Sequence, residues 1–239
     1  MSKVPCHHDH GSCIVHVPLF DGLSDEEVHL LSQAVHSRHY RKGEFVFQEG
    51  ERSDALYVVN QGVVKVVKLA DTGKEHVIRF LFHGDFGGMP DLFKEGLHYA
   101  NAEVVEDAVV CRIYRQDLKK AILDHNSSMA YRFLAAISDR LRDADEWSGT
   151  ISLLDAERRL AKTLLIFTAK MASSNPASNP YELPVSKRDL AALIGITPET
   201  MSRKLAVFES EGYISLRGKK GIVILNPSVL EEIAGVQQS

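Results

Sequence analysis

Two stretches of this chain carry residues whose types and spacing can do chemistry. The first is "CHHDHGSC", residues 6–13. It places Cys6, His8, His10 and Cys13 close together, and a third thiol, Cys111, sits far along the chain in the apolar run "AVVCRIY". Zinc accepts three thiolates and one imidazole in a tetrahedron. Cys6, Cys13, Cys111 and either His8 or His10 are therefore a candidate zinc site, with Asp9 available to orient a ligating imidazole. The same thiols also suit a redox switch, in which Cys6 or Cys13 forms a disulfide with Cys111. Alternatively the histidines are a solvated tail, and Cys111, alternating with Val109 and Ile113, is a small core hydrophobe.

The second stretch is "SKRDLAALIGITPETMSRKLAVFESEGYI", from Ser186 to Ile214. Ser186 can cap a first helix, with Asp189 at the capping-box position. Gly195 supplies a turn. Thr197 caps a second helix, with Pro198 at its first position, where a missing N–H costs nothing. At about 100° per residue, Glu199, Ser202, Arg203 and Ala206 share one side of that helix, and Met201, Leu205 and Phe208 share the other. A greasy back and a polar front in a helix–turn–helix suit a DNA major-groove reader. Arg203 can donate a bidentate pair to guanine, Glu199 can accept from the cytosine amino group, and Ser202 permits close approach to a base edge. Thr200, Lys204 and Ser186 are further candidates for DNA contact. "RGKKGIVIL", residues 217–225, has the pattern of a two-stranded wing, whose Lys219 and Lys220 would meet phosphates.

Charge agrees with that division. Residues 186–220 hold seven Lys or Arg against four Asp or Glu, whereas the whole chain of 239 residues carries a net charge of -4. The basic part of an acidic protein is the part expected to meet nucleic acid. Three cysteines, an odd count, argue against a secreted disulfide framework. No apolar run is long enough to span a membrane, and the N-terminus lacks a secretory apolar segment, so the sequence implies a cytoplasmic protein with no membrane partner.

The elements that must position these residues follow from periodicity. Residues 18–37 have a helical pattern, capped by Ser24 with Glu27 and presenting Val28, Leu31 and Val35 on one face. From 38 to 115 the period is two, in short β-branched and aromatic runs broken by Gly-Glu, Gln-Gly, Thr-Gly and Gly-Asp signals. That pattern predicts an antiparallel barrel or sandwich, or failing that an irregular α+β domain. Residues 127–154 form one long helix in which Phe133, Ile137, Arg140, Ala144, Trp147, Ile151 and Leu154 repeat at 4-3-4-3 spacing. This heptad seam predicts a symmetric dimer contact in preference to packing on the chain's own barrel. A further amphipathic helix, 156–172, and a Ser/Asn/Pro loop, 173–180, lead to a helical module that ends in a β-hairpin.

This order of elements resembles the CRP/FNR family of bacterial transcription regulators. The resemblance rests on "GERSDALYVVNQGVVKV" and "GDFGG" in the barrel, "AERRLA" after the long helix, and "ITPETMSRKLAVFESEGYI", and it covers roughly residues 15–230. It implies an α+β chain: an N-terminal Cys/His arm (1–17), an antiparallel β-roll sensor of the cyclic-nucleotide-binding kind (18–125), a long dimerisation helix (126–154) and a C-terminal winged helix–turn–helix (155–239). The Glu199, Ser202, Arg203 arrangement is similar to the FNR branch, which implies recognition of an inverted repeat close to TTGAT…ATCAA. Homodimerisation through 127–154, and RNA polymerase as a partner of any activator, are implied in the same way.

The resemblance also bears on the signal. Where cyclic AMP-sensing members keep a ribose-binding Glu and a phosphate-binding Arg-Ser pair, this chain has Met89, Tyr99 and Ala100, which argues against cyclic AMP. The FNR branch holds an iron–sulfur cluster with four cysteines. Cys111 resembles the late one, but the closely spaced N-terminal triplet is absent, and His16 stands where the cluster-binding members have cysteine just ahead of the segment matching "VPLF". A cluster held by three cysteines and a histidine is thus an alternative to zinc. The expected function is a DNA-binding regulator answering to redox state or metal. A regulator gated by a small molecule in the roll is the first alternative. A zinc hydrolase is a remote one, since the chain has neither an HExxH motif nor a nucleophile elbow and is not expected to be an enzyme.

Overall fold

The computed structural model describes residues 20, 25–88, 95–124, 127–174, 182–183, 185–217 and 221–235. In chain order the elements are α1 (Asp25–Gln33), β1 (Val35–Tyr40), β2 (Phe45–Phe47), β3 (Ala55–Leu69), β4 (Glu75–Leu81), β5 (Phe86–Gly87), β6 (Asn101–Tyr114), α2 (Arg115–Asp124), α3 (Ser127–Leu153), α4 (Ala156–Ser174), β7 (Glu182–Leu183), α5 (Lys187–Ile194), α6 (Pro198–Ser210), β8 (Ile214–Arg217), β9 (Gly221–Ile224) and α7 (Pro227–Ala234). The chain divides into two compact units. One runs to Val64 and resumes over Leu81–Arg142; the other comprises Lys65–Phe80 and Asp143–Ser239.

β1 to β6 form one six-stranded sheet in the order β1-β6-β3-β4, with β2 on β6 and β5 on β3. The β-roll of the sequence reading is therefore present. Its apolar face gathers Leu31, Val35, Leu56, Val58, Phe86, Cys111, Ile113, Leu118, Phe133 and Ala136 into one core cluster. The opposite face is filled by aromatic packing: Phe47 stacks on His98 at 4.0 Å, and Tyr57 leans on Phe47 at 5.1 Å. Burial pushes the Tyr57 hydroxyl up to about 12, against the lowering effect of the nearby Arg112 charge.

Four expectations need correction. The first helix does not reach residue 37: it ends at Gln33, and Val35 opens β1, opposite Ile113 of β6. Val35 is buried, as a helical face would require, but tertiary pairing along six residues of β6 decides its conformation. The expected break at Gln61-Gly62 is not a strand end, because β3 runs through it, with Gly62 at φ +83°. A Cβ there would stand 2.3 Å from the Asp107 carbonyl oxygen, so the glycine permits a close backbone approach and makes no turn. Among the described residues the last element is the helix α7, not the β-hairpin.

The fourth correction concerns the long helix. It is continuous over Ser127–Leu153, close to the expected bounds. Its Phe133 and Ile137, however, pack into the roll's own core cluster, and Arg140 donates to the Phe86 carbonyl and faces Asp85. The first half of the proposed dimer seam is thus occupied within the chain. Among the apolar side chains left outward, Tyr131, Leu134 and Leu141, at 75%, 64% and 63% exposure, form a stripe rotated by about 100° from that seam, and Leu153 at the helix end is exposed as well.

Candidate nucleic-acid interface

The interface is assembled by α5, α6 and the small sheet β7-β9-β8. Ser186 caps α5: its Oγ accepts the Asp189 N–H at 3.0 Å and donates to the Asp189 carboxylate at 2.5 Å. Gly195 ends α5 in the left-handed region at φ 73°, and its N–H reaches the Ala191 carbonyl. A residue with a Cβ is strained there, which is why glycine serves as the turn. Arg159 of α4 donates to the Ile194 carbonyl at 2.7 Å and braces that turn. Thr197 caps α6 by accepting the Thr200 N–H at 3.2 Å, with Pro198 at the first helical position.

Once α6 is fixed at its start, its apolar side fixes its rotation. Met201, Leu205 and Phe208 are fully buried, each at 0% exposure, and Phe208 meets Tyr213 edge-on at 5.7 Å. Their burial amounts to about 1.5–3 kcal/mol per side chain relative to exposure. Glu199, Ser202, Arg203 and Ala206 are correspondingly exposed. Arg203 donates to the Thr200 hydroxyl at 3.4 Å, which restrains the guanidinium on the outer edge. Glu199's own backbone N–H and the Thr197 hydroxyl hold its carboxyl below the usual carboxylate range, so it stands as a charged acceptor at neutral pH.

The structure brings together Glu199, Thr200, Ser202 and Arg203. Lys204 differs: its ammonium is paired with the Glu157 carboxylate of α4 and ties the reading helix to its support. Ser186 has its hydroxyl engaged in the α5 cap. Lys219 and Lys220 lie outside the described residues, between β8 and β9, which pair antiparallel from Ile214–Ile224 to Arg217–Gly221. Sequence reasoning passed over Arg159 and Glu157, which position the interface from α4. The "AERRLA" motif contains both, yet their partners lie 35 and 47 residues away and no local pattern reveals them.

Of the candidate metal ligands, Cys6, His8, His10 and Cys13 lie outside the described residues. Cys111 is buried in β6 and is disulfide-bonded; Ser37 Oγ lies 3.4 Å from its sulfur. A sulfur bonded to sulfur carries no thiolate charge for a metal. Among the described residues no group of three or more His, Cys, Asp or Glu can hold an ion. Among the described residues, no helix is long and apolar enough to cross a membrane.

A β-roll joined through a long helix to a capped helix–turn–helix with a wing defines a class of DNA-binding regulator. Comparison with known proteins gives the same class. Residues 37–125 match the cyclic nucleotide-binding domain family, and residues 158–233 match the Crp-like helix-turn-helix domain family. The chain is 32% identical over 217 residues to a cyclic AMP receptor protein of Thermus thermophilus, covering 91% of this chain and 96% of that protein. It is 27% identical to the transcriptional activator protein Anr of Pseudomonas protegens, covering 89% and 86% of the two chains. Among solved structures, FixK2 from Bradyrhizobium japonicum superimposes with a TM-score of 0.73 at 26% identity, covering 85% of this chain and 99% of that one. The chain belongs to the CRP/FNR family of transcription regulators.

Proposed function

We propose that this regulator binds, as a homodimer, an inverted repeat close to TTGAT…ATCAA, and that its DNA affinity answers to thiol oxidation at Cys111. The observation that carries the DNA reading is the division of α6. Met201, Leu205 and Phe208 are buried to 0% exposure, which leaves Glu199, Ser202 and Arg203 facing out as acceptor, small residue and bidentate donor. Selection from randomised duplexes tests it: enrichment of a palindrome with that half-site supports it, and the absence of an enriched palindrome sinks it. If the protein activates transcription, RNA polymerase is its further partner.

The redox reading draws support from the disulfide at Cys111 and from that residue's surroundings. Cys111 shares one apolar cluster with Phe133 and Ala136 of α3. Reduction or oxidation at that sulfur thus acts inside the same core that seats the long helix. The partner thiol would be Cys6 or Cys13, and a two-electron oxidant would take up the electrons released as the bond forms. Free-thiol counting and duplex affinity before and after oxidation, in the parent and in Cys111→Ser, test this. A Cys111→Ser chain that keeps the parent's redox response overturns it. Elemental analysis of the reduced protein decides whether zinc or an iron–sulfur cluster occupies the thiols in place of the disulfide.

A second reading, a regulator gated by a small molecule, is favoured by the cyclic nucleotide-binding match over 37–125. Cyclic AMP itself is a poor candidate. Of the two positions matching the family's phosphate-binding pair, Ala100 is fully buried, and neither it nor Tyr99 has a cation to offer. Calorimetric titration with cyclic AMP should show no heat of specific binding.

A further inference from the structure

The compact unit that contains the helix–turn–helix also contains the tip of the β3–β4 hairpin, Lys65–Phe80. Lys65 of β3 is only 5% exposed, and its ammonium donates to Asp189 Oδ1 of α5 at 2.9 Å. Asp189 is itself 9% exposed, and its other oxygen accepts the Ser186 hydroxyl. Glu75 of β4 lies 3.9 Å from the Lys65 ammonium and 3.6 Å from the guanidinium of Arg188, in the first turn of α5. Further along, Ala70, Lys74 and His76 line a cleft whose other wall is Ala191, Ala192 and Gly195. At its base Phe80 packs edge-on against Phe167 at 5.1 Å.

Nothing in the DNA reading needs the hairpin's contacts, and the Glu75 charge opposes it. In a helix–turn–helix the first helix crosses the nucleic-acid backbone, so a cation in its first turn is placed for phosphate. Arg188 is such a cation: its side chain is 74% exposed, and the group facing it here is the Glu75 carboxylate. A duplex arriving at that end of α5 competes with Glu75 for Arg188 and brings phosphate charge toward Glu75. The buried Lys65–Asp189 pair keeps the carboxylate there, because parting two desolvated charges leaves each uncompensated.

We propose that the β3–β4 hairpin is an autoinhibitory latch on α5, anchored by Lys65 and Asp189 and acting through Glu75 on Arg188. It rests on the DNA reading above. A latched form holding about 90% of the free chain weakens apparent affinity about tenfold. The test uses the full chain and the palindrome selected by the parent. Glu75→Gln removes the competing charge on a side chain 26% exposed and should tighten binding about three- to tenfold at low salt, with the gain shrinking as salt rises. The pair of substitutions Lys65→Met with Asp189→Asn removes the anchor without stranding a charge. It should tighten binding to a similar degree and speed amide hydrogen exchange in the hairpin and α5. A Glu75→Gln chain that binds no tighter than its parent, or a double variant with unchanged exchange, overturns the latch alone. A parent that selects no palindrome overturns the reading on which it rests.

Discussion

At the scale of single residues, the candidate interface rests on helix caps and presents one guanidinium on its outer edge. Arg203 on the outer edge of α6 is the strongest candidate for direct base reading. Arg203→Ala should cost about 1–3 kcal/mol in duplex binding and relax preference at one base pair of each half-site, as measured by competition with single-base variants. Asp155 shows the other kind of contribution. It caps α4, where its carboxylate accepts the N–H groups of Glu157 and Arg158 at 2.9 and 3.0 Å, and those bonds hold it below the usual carboxylate range. Asp155→Ala should lower stability by about 1 kcal/mol at neutral pH. A carboxylate with a depressed folded pKa stabilises above its unfolded value and loses that contribution as pH falls through the folded one. The parent and variant denaturation curves should therefore converge in acid. A gap that persists there would mean that the side chain acts by something other than its charge. The caps at Ser186 and Thr197 were legible because their spacing is local. The engagement of Lys204 with Glu157 was not, since a charged residue on an outer face reads alike whether it meets solvent, phosphate or a distant helix.

At the scale of elements, the features that sequence patterns missed are those imposed by neighbours. The assignment of residues 18–37 to a helix failed at Val35, where the apolar spacing suits a helix but β6 offers six residues of antiparallel partner. The Gln61-Gly62 signal has the form of a turn, yet the strand passes through because β6 crosses too closely there for any side chain. Gly62→Ala is accordingly the sharpest test of the roll. It forces a Cβ onto backbone and demands a positive φ, and should lower stability by about 2 kcal/mol or more, read by denaturant unfolding. Gly73→Ala, also at positive φ but in open space, should cost markedly less. Equal losses would show that conformation, not the close approach, sets the requirement at Gly62.

At the scale of the whole molecule, the long helix serves two surfaces. One side seats Phe133 and Ile137 in the roll's core; the other leaves Tyr131, Leu134 and Leu141 outward. Exposed apolar residues repeating along a helix mark a surface for another helix. If the homodimer forms through α3, Leu141→Glu should weaken self-association about 100-fold or more while leaving the monomer's unfolding little changed. Ile137→Glu should instead damage folding. Sedimentation and thermal melts separate the two, and a dimer that survives Leu141→Glu places its axis elsewhere. The proposed inverted repeat would reward two heads held at one spacing, which is why the proposed function calls for such pairing.

The sequence by itself determined the local order of the chain: strands with period two, one uninterrupted helix, and a reading helix with its caps and its two faces. Each is set by spacings within a few residues, and caps, turns and amphipathic faces act over that range. The tertiary structure alone decided which side of the long helix is taken up by the chain's own roll, that Cys111 lies in the core beneath it, and that Lys65 meets Asp189 across 124 positions of sequence. These depend on which surfaces bury one another, and burial is a property of the folded arrangement that no window of sequence contains.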